Sequence, residues 1–425
     1  MMQRRHFLQT GTALGAVGLM SGCATVGGGS GPKVVVIGGG YAGATAAKYI
    51  RMWSEQKIQV TLVEPNPAFI SCPISNLVLG GSKTIADITT PYDNLGKRHG
   101  VQMVKDRVVS IDAAKRLVKL AGGTELPYDR LIVSPGVDFM WETLPGMNKA
   151  GAKEQVMHAW KAGEQTLTLR KQLEAMRDGG VFAMTIPLAP YRCPPGPYER
   201  ACQVAEYFSK HKPKSKVLIL DANEDVTSKG PLFKKAWADR YKGIVEYRGK
   251  HGLADVDVAG KTLKFEFNDD VKADVLNVIP NMRAGDIAVN TGLATANKRW
   301  CDVDFLTFES KAAPNVHVLG DAIQIAPAMP KSGHMANQHG KTCAAAVVAL
   351  LTGKPVNPMP LYNNTCYSFV SSEDVVHVAS VHRYDPEKKT MLTVPGSGGV
   401  SVAANELEGR YAMAWARNIW ADTLA

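Results

Sequence analysis

The sequence contains no run of about 18 or more apolar residues, which excludes an integral membrane-spanning helix. It contains no Cys-x-x-Cys pair. That absence removes zinc knuckles, thioredoxin-type redox motifs and c-type haem attachment within this chain, and no metal site is expected. Charged residues make up only 21% against 45% hydrophobic, a balance too apolar for a disordered chain or a coiled coil. Glycine shows no three-residue period, which excludes a collagen-like fibre. The 49 basic residues outnumber the 39 acidic ones, giving a net charge of +10. Basic and aromatic residues do not interleave, so no nucleic acid partner is expected; the surplus is compatible with docking an acidic protein. At about 150 residues per domain, 425 residues suggest two or three domains with sizeable cores. The seven cysteines are an odd number, and their meaning depends on where each one falls.

The N-terminus reads as an address. Arg4-Arg5-His6-Phe7-Leu8 precedes a short, weakly apolar stretch from Thr10 to Met20 and resembles a twin-arginine export signal. Met20-Ser21-Gly22-Cys23 resembles a lipoprotein processing site, which would leave a lipid anchor at Cys23; cleavage nearby, with the cysteine lost, is the alternative. The run Gly27 to Gly31 reads as a flexible tether. Both routes predict a periplasmic protein in an oxidising compartment where disulfides persist.

A dinucleotide site follows. Lys33-Val34-Val35-Val36-Ile37 has the continuous β-branched character of a buried parallel strand. Gly38-Gly39-Gly40-Tyr41-Ala42-Gly43 comes next, and Ala44 to Met52 favours helix. In this strand–turn–helix context Gly38 makes the tight turn, Gly40 lets the backbone approach a pyrophosphate, and Gly43 lets helix and strand pack closely. The strand Gln59 to Val63 ends in Glu64, placed to accept from a ribose hydroxyl. Two later strands end in small-residue turns, Tyr128–Val133 with Ser134-Pro135-Gly136 and Asn315–Leu319 with Gly320-Asp321. Both resemble the second and third fingerprints of two-dinucleotide-fold flavoproteins. There the aspartate accepts hydrogen bonds from the ribityl and phosphate region, and the cofactor is FAD. A second βαβ frame lies between them, with strand Gly180 to Ile186, helix Arg200 to Lys210, and strand Lys216 to Leu220 ending in Asp221. Its turn, Pro187 to Glu199, carries five prolines and a single glycine. Proline has no N–H to offer a phosphate, so a nicotinamide cofactor is not expected.

Three cysteines fall in distinctive contexts: Ser71-Cys72-Pro73-Ile74-Ser75-Asn76, Cys193-Pro194-Pro195-Gly196-Pro197-Tyr198-Glu199-Arg200-Ala201, and Asn364-Thr365-Cys366-Tyr367-Ser368. With His158-Ala159-Trp160-Lys161-Ala162-Gly163-Glu164-Gln165-Thr166 and Met329-Pro330-Lys331-Ser332-Gly333, these stretches resemble the flavoprotein subunit of flavocytochrome c sulfide dehydrogenase. The resemblance implies FAD bound through 8α to the sulfur of Cys72. It also implies a redox-active disulfide between Cys193 and Cys366, and a base at Glu199. It further implies a cytochrome c subunit as electron acceptor, with Trp415 placed toward it. The loop around Cys72 is less tyrosine-rich than the family pattern. Cys202, Cys301 and Cys343 are expected as buried thiols.

The chemistry those residues allow is oxidation of sulfide to sulfane sulfur or polysulfide. Hydrosulfide would attack the Cys193–Cys366 disulfide, giving a persulfide and a thiolate whose electron pair passes to the flavin. Glu199 would serve as base, and Lys331 is the candidate partner for the negative charge that accumulates at flavin N1 and O2. With no haem motif in this chain, the electrons must leave to another molecule. Two alternatives are a sulfide:quinone oxidoreductase and a non-catalytic flavoprotein partner in a sulfur-oxidation complex. The expected architecture is α/β, two Rossmann-like domains of the disulfide-reductase type with a C-terminal interface domain. After the leader (1–30), the FAD domain is split (31–146 and 283–355) around a degenerate nucleotide-type domain (147–282), and the interface domain covers 356–425.

Overall fold

The computed structural model describes residues 31–425, so the paired arginines and Cys23 lie outside the described residues. Alternation and β-branching along the chain set its elements. The first unit runs through β1 (Lys33–Ile37), α1 (Tyr41–Trp53), β2 (Gln59–Val63), β3 (Gln102–Val104) and β4 (Arg130–Val133). The second holds β5 (Val181–Ile186), α2 (Gly196–His211), β6 (Lys216–Asp221), α3 (Gly230–Arg240), β7 (Val245–Arg248) and β8 (Val275–Val278). The chain then returns to the first unit with β9 (Val316–Val318) and α4 (Gly333–Leu351). It ends in β10 (Leu361–Phe369), β11 (Val375–Asp385), β12 (Thr390–Thr393), β13 (Gly399–Val400) and α5 (Glu406–Leu424).

Three sheets organise these elements. The first is parallel, in the order β9-β4-β1-β2-β3, with Val34 opposite Val60 on one side and Arg130 on the other. The second is also parallel, in the order β7-β6-β5-β8. Both have the central strand of a βαβ unit flanked by later strands, as two dinucleotide-type folds require. The third sheet is an antiparallel meander in which β10 pairs with β11 from Leu361 opposite Arg383 to Phe369 opposite Val375. Val34, Val36, Leu62, Leu131 and Ile132 are fully or almost fully buried, which explains the unbroken apolar runs of the first sheet. Helix α1 lies against α4, and α5 closes over α1 and β11.

Helix boundaries extend the sequence reading toward the N-termini. Helix α1 begins at Tyr41, directly after Gly40 and three residues before the expected Ala44. The largest shift is in α2, which starts at Gly196, four residues before the expected Arg200, and carries Pro197 in its first turn. Proline is tolerated there because an N–H in the first turn has no intrahelical acceptor. The shift places Glu199 within the first turn of α2 rather than ahead of it.

Candidate active site

The two glycine-bearing turns and the C-terminal sheet enclose a cavity of about 930 Å³. One end is built to receive a dinucleotide. Gly38 takes φ +93°, a left-handed conformation that lets β1 turn sharply, and a Cβ there would lie 2.3 Å from the Ser134 carbonyl oxygen. At Gly40 a Cβ would meet nothing within 4 Å, and this residue lines the cavity, so the backbone is open to a ligand. Helix α1 has no side-chain cap and no acidic residue in its first turn, leaving its N-terminus free to attract an anion. Glu64 lines the cavity as well, with one carboxylate oxygen accepting from the Gly39 N–H (2.8 Å) and the other from Asn66. Pro135, Gly136 and Gly320 face the same space. Asp321 is half-buried and lines it too, with Arg192 and Lys331 as its electrostatic neighbours, and desolvation raises its carboxyl pKa. A desolvated acid facing a cavity is suited by hydroxyl donors, which the ribityl chain of FAD provides. These features fit FAD.

The opposite end brings together the three singled-out cysteines. Cys72, Cys193 and Cys366 all line the cavity, as does Glu199. Cys72 sits where Ala162 N donates to its sulfur at 3.4 Å, and Ser75 Oγ holds its carbonyl at 2.6 Å. Two residues later Ile74 has φ +74°, an outlier for a β-branched residue, so the loop is held in a strained shape next to that sulfur. Cys193 is also left-handed, at φ +59°. Its N–H donates to the Lys331 carbonyl (2.9 Å), and its carbonyl accepts from Gly196 (2.9 Å). A side chain at Gly196 would collide with the Cys193 sulfur at 2.9 Å and with Trp160 at 2.8 Å, so glycine is required there by close approach. Cys366 lies on β10 beside Asn364, whose amide oxygen accepts from Ser332 Oγ at 2.7 Å. Both thiols are free in this structure, as are the other described cysteines, so the expected disulfide is not formed here. Burial raises the pKa of both; Cys366 and Glu199 push Cys193 up further while Arg192 and Lys229 oppose, and for Cys366 the burial is opposed by Lys229 and by hydrogen bonds with Asn364 and Ser332. Cys202, Cys301 and Cys343 are buried, as expected.

Glu199 is buried and its carboxyl is pushed up by desolvation, opposed by hydrogen bonds from Phe369 N (2.8 Å) and Asn76 Nδ2 (2.7 Å). Arg200 forms the adjoining clamp. Its guanidinium donates to Asn76 Oδ1, Asn277 Oδ1 and the carbonyls of His158 and Ala159, and it lies over the Trp160 ring. This network orients Asn76, and through it Glu199. Desolvation lowers the Arg200 pKa to about 9. Sequence reasoning missed Asn76, Arg200 and Lys229, because their partners come from distant segments and no local motif marks them.

Lys331 departs from expectation. Its ammonium donates to the carbonyls of Asp321 (2.9 Å) and Ile323 (2.6 Å) and stands 3.6 Å over the Trp300 ring. It is buried behind the cavity wall and is not among the lining residues. Burial lowers its pKa to about 7, and a buried ammonium takes whatever carbonyl acceptors the fold offers. Its contribution to the site is the carbonyl that holds Cys193 N. Gly43 is a packing residue, since its Cβ would lie 2.0 Å from the Gly38 carbonyl oxygen.

The second nucleotide-type unit is closed by its own side chains. Asp221, at the end of β6, accepts from Tyr198 OH (2.7 Å), Tyr247 OH (3.1 Å) and Asn223 N and Nδ2. Tyr191 packs into the proline-rich turn, buried, with its hydroxyl 2.9 Å from Thr227 Oγ1. The acid that a nicotinamide ribose would need is already satisfied from within. At the other side of the site, Trp415 on α5 borders both the main cavity and a shallower cleft of about 430 Å³, with Tyr367 and His334 packed around it.

Comparison with known proteins matches this geometry. The family profile of the sulfide dehydrogenase [flavocytochrome c] flavoprotein chain, central part, covers residues 166–280. The profile of the flavocytochrome c sulphide dehydrogenase flavin-binding region covers 358–424, and that of pyridine nucleotide-disulphide oxidoreductases covers 32–177. The chain is 27% identical over 299 residues to the mitochondrial sulfide:quinone oxidoreductase of Dictyostelium discoideum, 68% of this chain and 65% of that one, so it spans a little under two thirds of that relative. The solved sulfide:quinone oxidoreductase of Aquifex aeolicus shares the fold with a TM-score of 0.75 at 18% identity, covering 92% of this chain and 91% of that chain. The sulfide dehydrogenase [flavocytochrome c] flavoprotein chain of Chlorobaculum thiosulfatiphilum is 56% identical over 46 residues, 11% of this chain and 94% of that sequence. With this match and with profiles at the centre and at the flavin-binding C-terminus, the chain belongs to the flavoprotein-chain family of flavocytochrome c sulfide dehydrogenase.

Proposed function

We propose that this protein oxidises sulfide to sulfane sulfur at Cys193 and Cys366 and passes the electrons through FAD to a cytochrome c subunit. The observation that carries this is the convergence of both thiols, Glu199 and Cys72 on one end of a cavity whose other end fits a dinucleotide. When bound, FAD supplies a two-electron acceptor that can release electrons singly; its tether in this reading is the sulfur of Cys72.

The remaining work falls to the chain's own residues. With Cys193 and Cys366 oxidised to a disulfide, hydrosulfide attacks one sulfur, a new S–S bond forms and the Cys–Cys bond breaks, leaving one persulfide and one thiolate. Glu199, its carboxyl raised by burial, takes the proton of incoming hydrogen sulfide, while Asn76 and the Phe369 N–H hold the resulting carboxylic group in place. Gly196 and the Lys331 carbonyl fix the Cys193 turn so that its sulfur stays close to the approach path. The thiolate then joins the persulfide sulfur as a trisulfide, giving up two electrons that a bound FAD would accept, and a second sulfide takes the bridging sulfur away as the Cys193–Cys366 disulfide returns.

A second reading, quinone as acceptor, is favoured by the sulfide:quinone oxidoreductase relatives. Against it, α5 buries Ala412, Ala416 and Ile419 against the body, and among the described residues no helix is long and apolar enough to cross a membrane. Trp415, exposed to the outer cleft and bordering the main cavity, supports an exit toward a docked protein. The Arg4-Arg5 leader supports a periplasmic location. Steady-state turnover with cytochrome c and with a soluble quinone separates the two. Sulfide-dependent reduction of cytochrome c is expected, and turnover with quinone alone overturns the cytochrome reading.

A further inference from the structure

Lys229 has no task in the reading above, yet it sits at its centre. It precedes α3 in a left-handed conformation (φ +55°) and its side chain leaves the second unit to reach the C-terminal sheet. Its three N–H donors go to the Cys366 carbonyl (2.9 Å), Ser368 Oγ (2.8 Å) and the Val376 carbonyl (3.5 Å). Three acceptors match an ammonium's full donor set, so the pocket is shaped for the charged form. The side chain is buried, and burying an ammonium costs several kcal/mol unless anions face it. The groups that face it are Cys366 on β10, Glu199 on α2, Cys193 in the turn before α2, and Glu408 on α5. Arg192 and Arg200 are the other cations at this end, acting on Cys193 and Glu199. Desolvation lowers the Lys229 pKa to about 8, with those four acids opposing it, so it remains mostly charged at neutral pH.

We propose that Lys229 is a positioning residue that holds an anionic sulfur at Cys366 during each turnover. This rests on the disulfide chemistry proposed above. If hydrosulfide attacks Cys193, the S–S bond breaks and Cys366 leaves as the thiolate. If it attacks Cys366, the persulfide formed there is more acidic than a thiol and is itself the anion. Either route puts a negative sulfur beside Lys229, which Asn364 also assists. A lysine acting only as a tether between α3 and β10 could be exchanged for a neutral hydrogen-bonding side chain with no effect on that sulfur.

The test reads thiol reactivity directly and does not depend on sulfide turnover, so its failure is distinct from failure of the proposed reaction. The flavoprotein is reduced with a phosphine, and iodoacetamide labelling of Cys366 and Cys193 is quantified by peptide mass spectrometry from about pH 6 to about pH 10. Lys229→Gln keeps donors but removes the charge, and Lys229→Arg keeps the charge. Lys229→Gln is expected to slow Cys366 labelling about tenfold near pH 8 and shift its profile about one unit to higher pH. Lys229→Arg is expected to keep Cys366 labelling within about threefold of the parent. An unchanged Cys366 profile in Lys229→Gln overturns the proposal. So does acceleration of both cysteines together, which is the signature of lost packing. Should Lys229→Gln be insoluble, the arginine variant decides: a parent-like Cys366 profile supports the proposal, and slowing of about tenfold overturns it.

Discussion

Two single-methyl substitutions in the phosphate turn separate packing from cofactor binding. At Gly43 an added Cβ would lie 2.0 Å from the Gly38 carbonyl oxygen and 3.2 Å from the Ser134 side chain. Ordinary contact begins at 3.4 Å, so α1 must retreat from β1 by more than an ångström, and the retreat opens the turn. Overpacking of this kind costs about 1–3 kcal/mol, a drop in Tm of about 1–3 °C for a chain of this size. At Gly40 the same methyl meets nothing within 4 Å, and its backbone (φ −72°) is open to any residue. Gly40→Ala therefore leaves apoprotein stability within about 0.5 kcal/mol of the parent. Its methyl enters the space where a pyrophosphate must approach the backbone, and FAD affinity falls about 100-fold, near 2.7 kcal/mol. The assay is paired, with both variants made in a Cys72→Ala background that lacks the proposed tether: flavin absorbance per protein for binding, and thermal unfolding of the flavin-free chain for stability. A Gly40→Ala protein that keeps full flavin content refutes the assignment of this turn as the phosphate site. A Gly43→Ala protein with unchanged Tm refutes the packing argument.

Three further outcomes follow from the same structure. His158 and His339 are buried with pKa values pushed down to about 3, and His317 to about 4, all chiefly by desolvation. The unfolded chain binds protons at these sites below about pH 6.5 while the folded chain does not, so stability falls as pH drops from about 6.5 toward 4, by up to about 4 kcal/mol per unit for the three together. Urea unfolding across that range checks it, and a flat profile contradicts it. Glu199→Gln should slow flavin reduction by sulfide about 10²-fold or more and remove the acidic limb of its pH profile, as seen by anaerobic stopped flow; a rate within about threefold of the parent removes Glu199 from the proton role. NADH should leave the flavin oxidised, because Asp221 is held by Tyr198, Tyr247 and Asn223; rapid stoichiometric bleaching by NADH would show the second unit to be open.

Legibility in the sequence followed distance along the chain. The turn at Gly38–Gly43, the acid at Glu64 and the strand ends at Gly136 and Asp321 were readable because strand, turn and helix signals are local. The early start of α2 escaped because prolines read as breakers, although Pro197 is harmless in a first turn. Asn76, Arg200 and Lys229 escaped because each owes its role to partners from other segments: Asn76 to Glu199, Arg200 to His158 and Asn277, and Lys229 to Cys366. The surroundings of Lys331 were equally out of reach, because its acceptors are set by the fold. It is the candidate partner for charge at flavin N1 and O2, while the fold supplies two carbonyls and an indole behind the wall that satisfy the ammonium.

The central claim, that sulfide reacts at the cysteine pair, is tested most directly by one anaerobic experiment. The oxidised flavoprotein is mixed with one equivalent of sulfide, trapped with an alkylating agent once the flavin has bleached, and digested for mass spectrometry. The account predicts one added sulfur atom on the Cys193 or Cys366 peptide in proportion to the flavin reduced, with neither signal in Cys193→Ser. Flavin reduction with no sulfur on either peptide, or undiminished bleaching in Cys193→Ser, contradicts it.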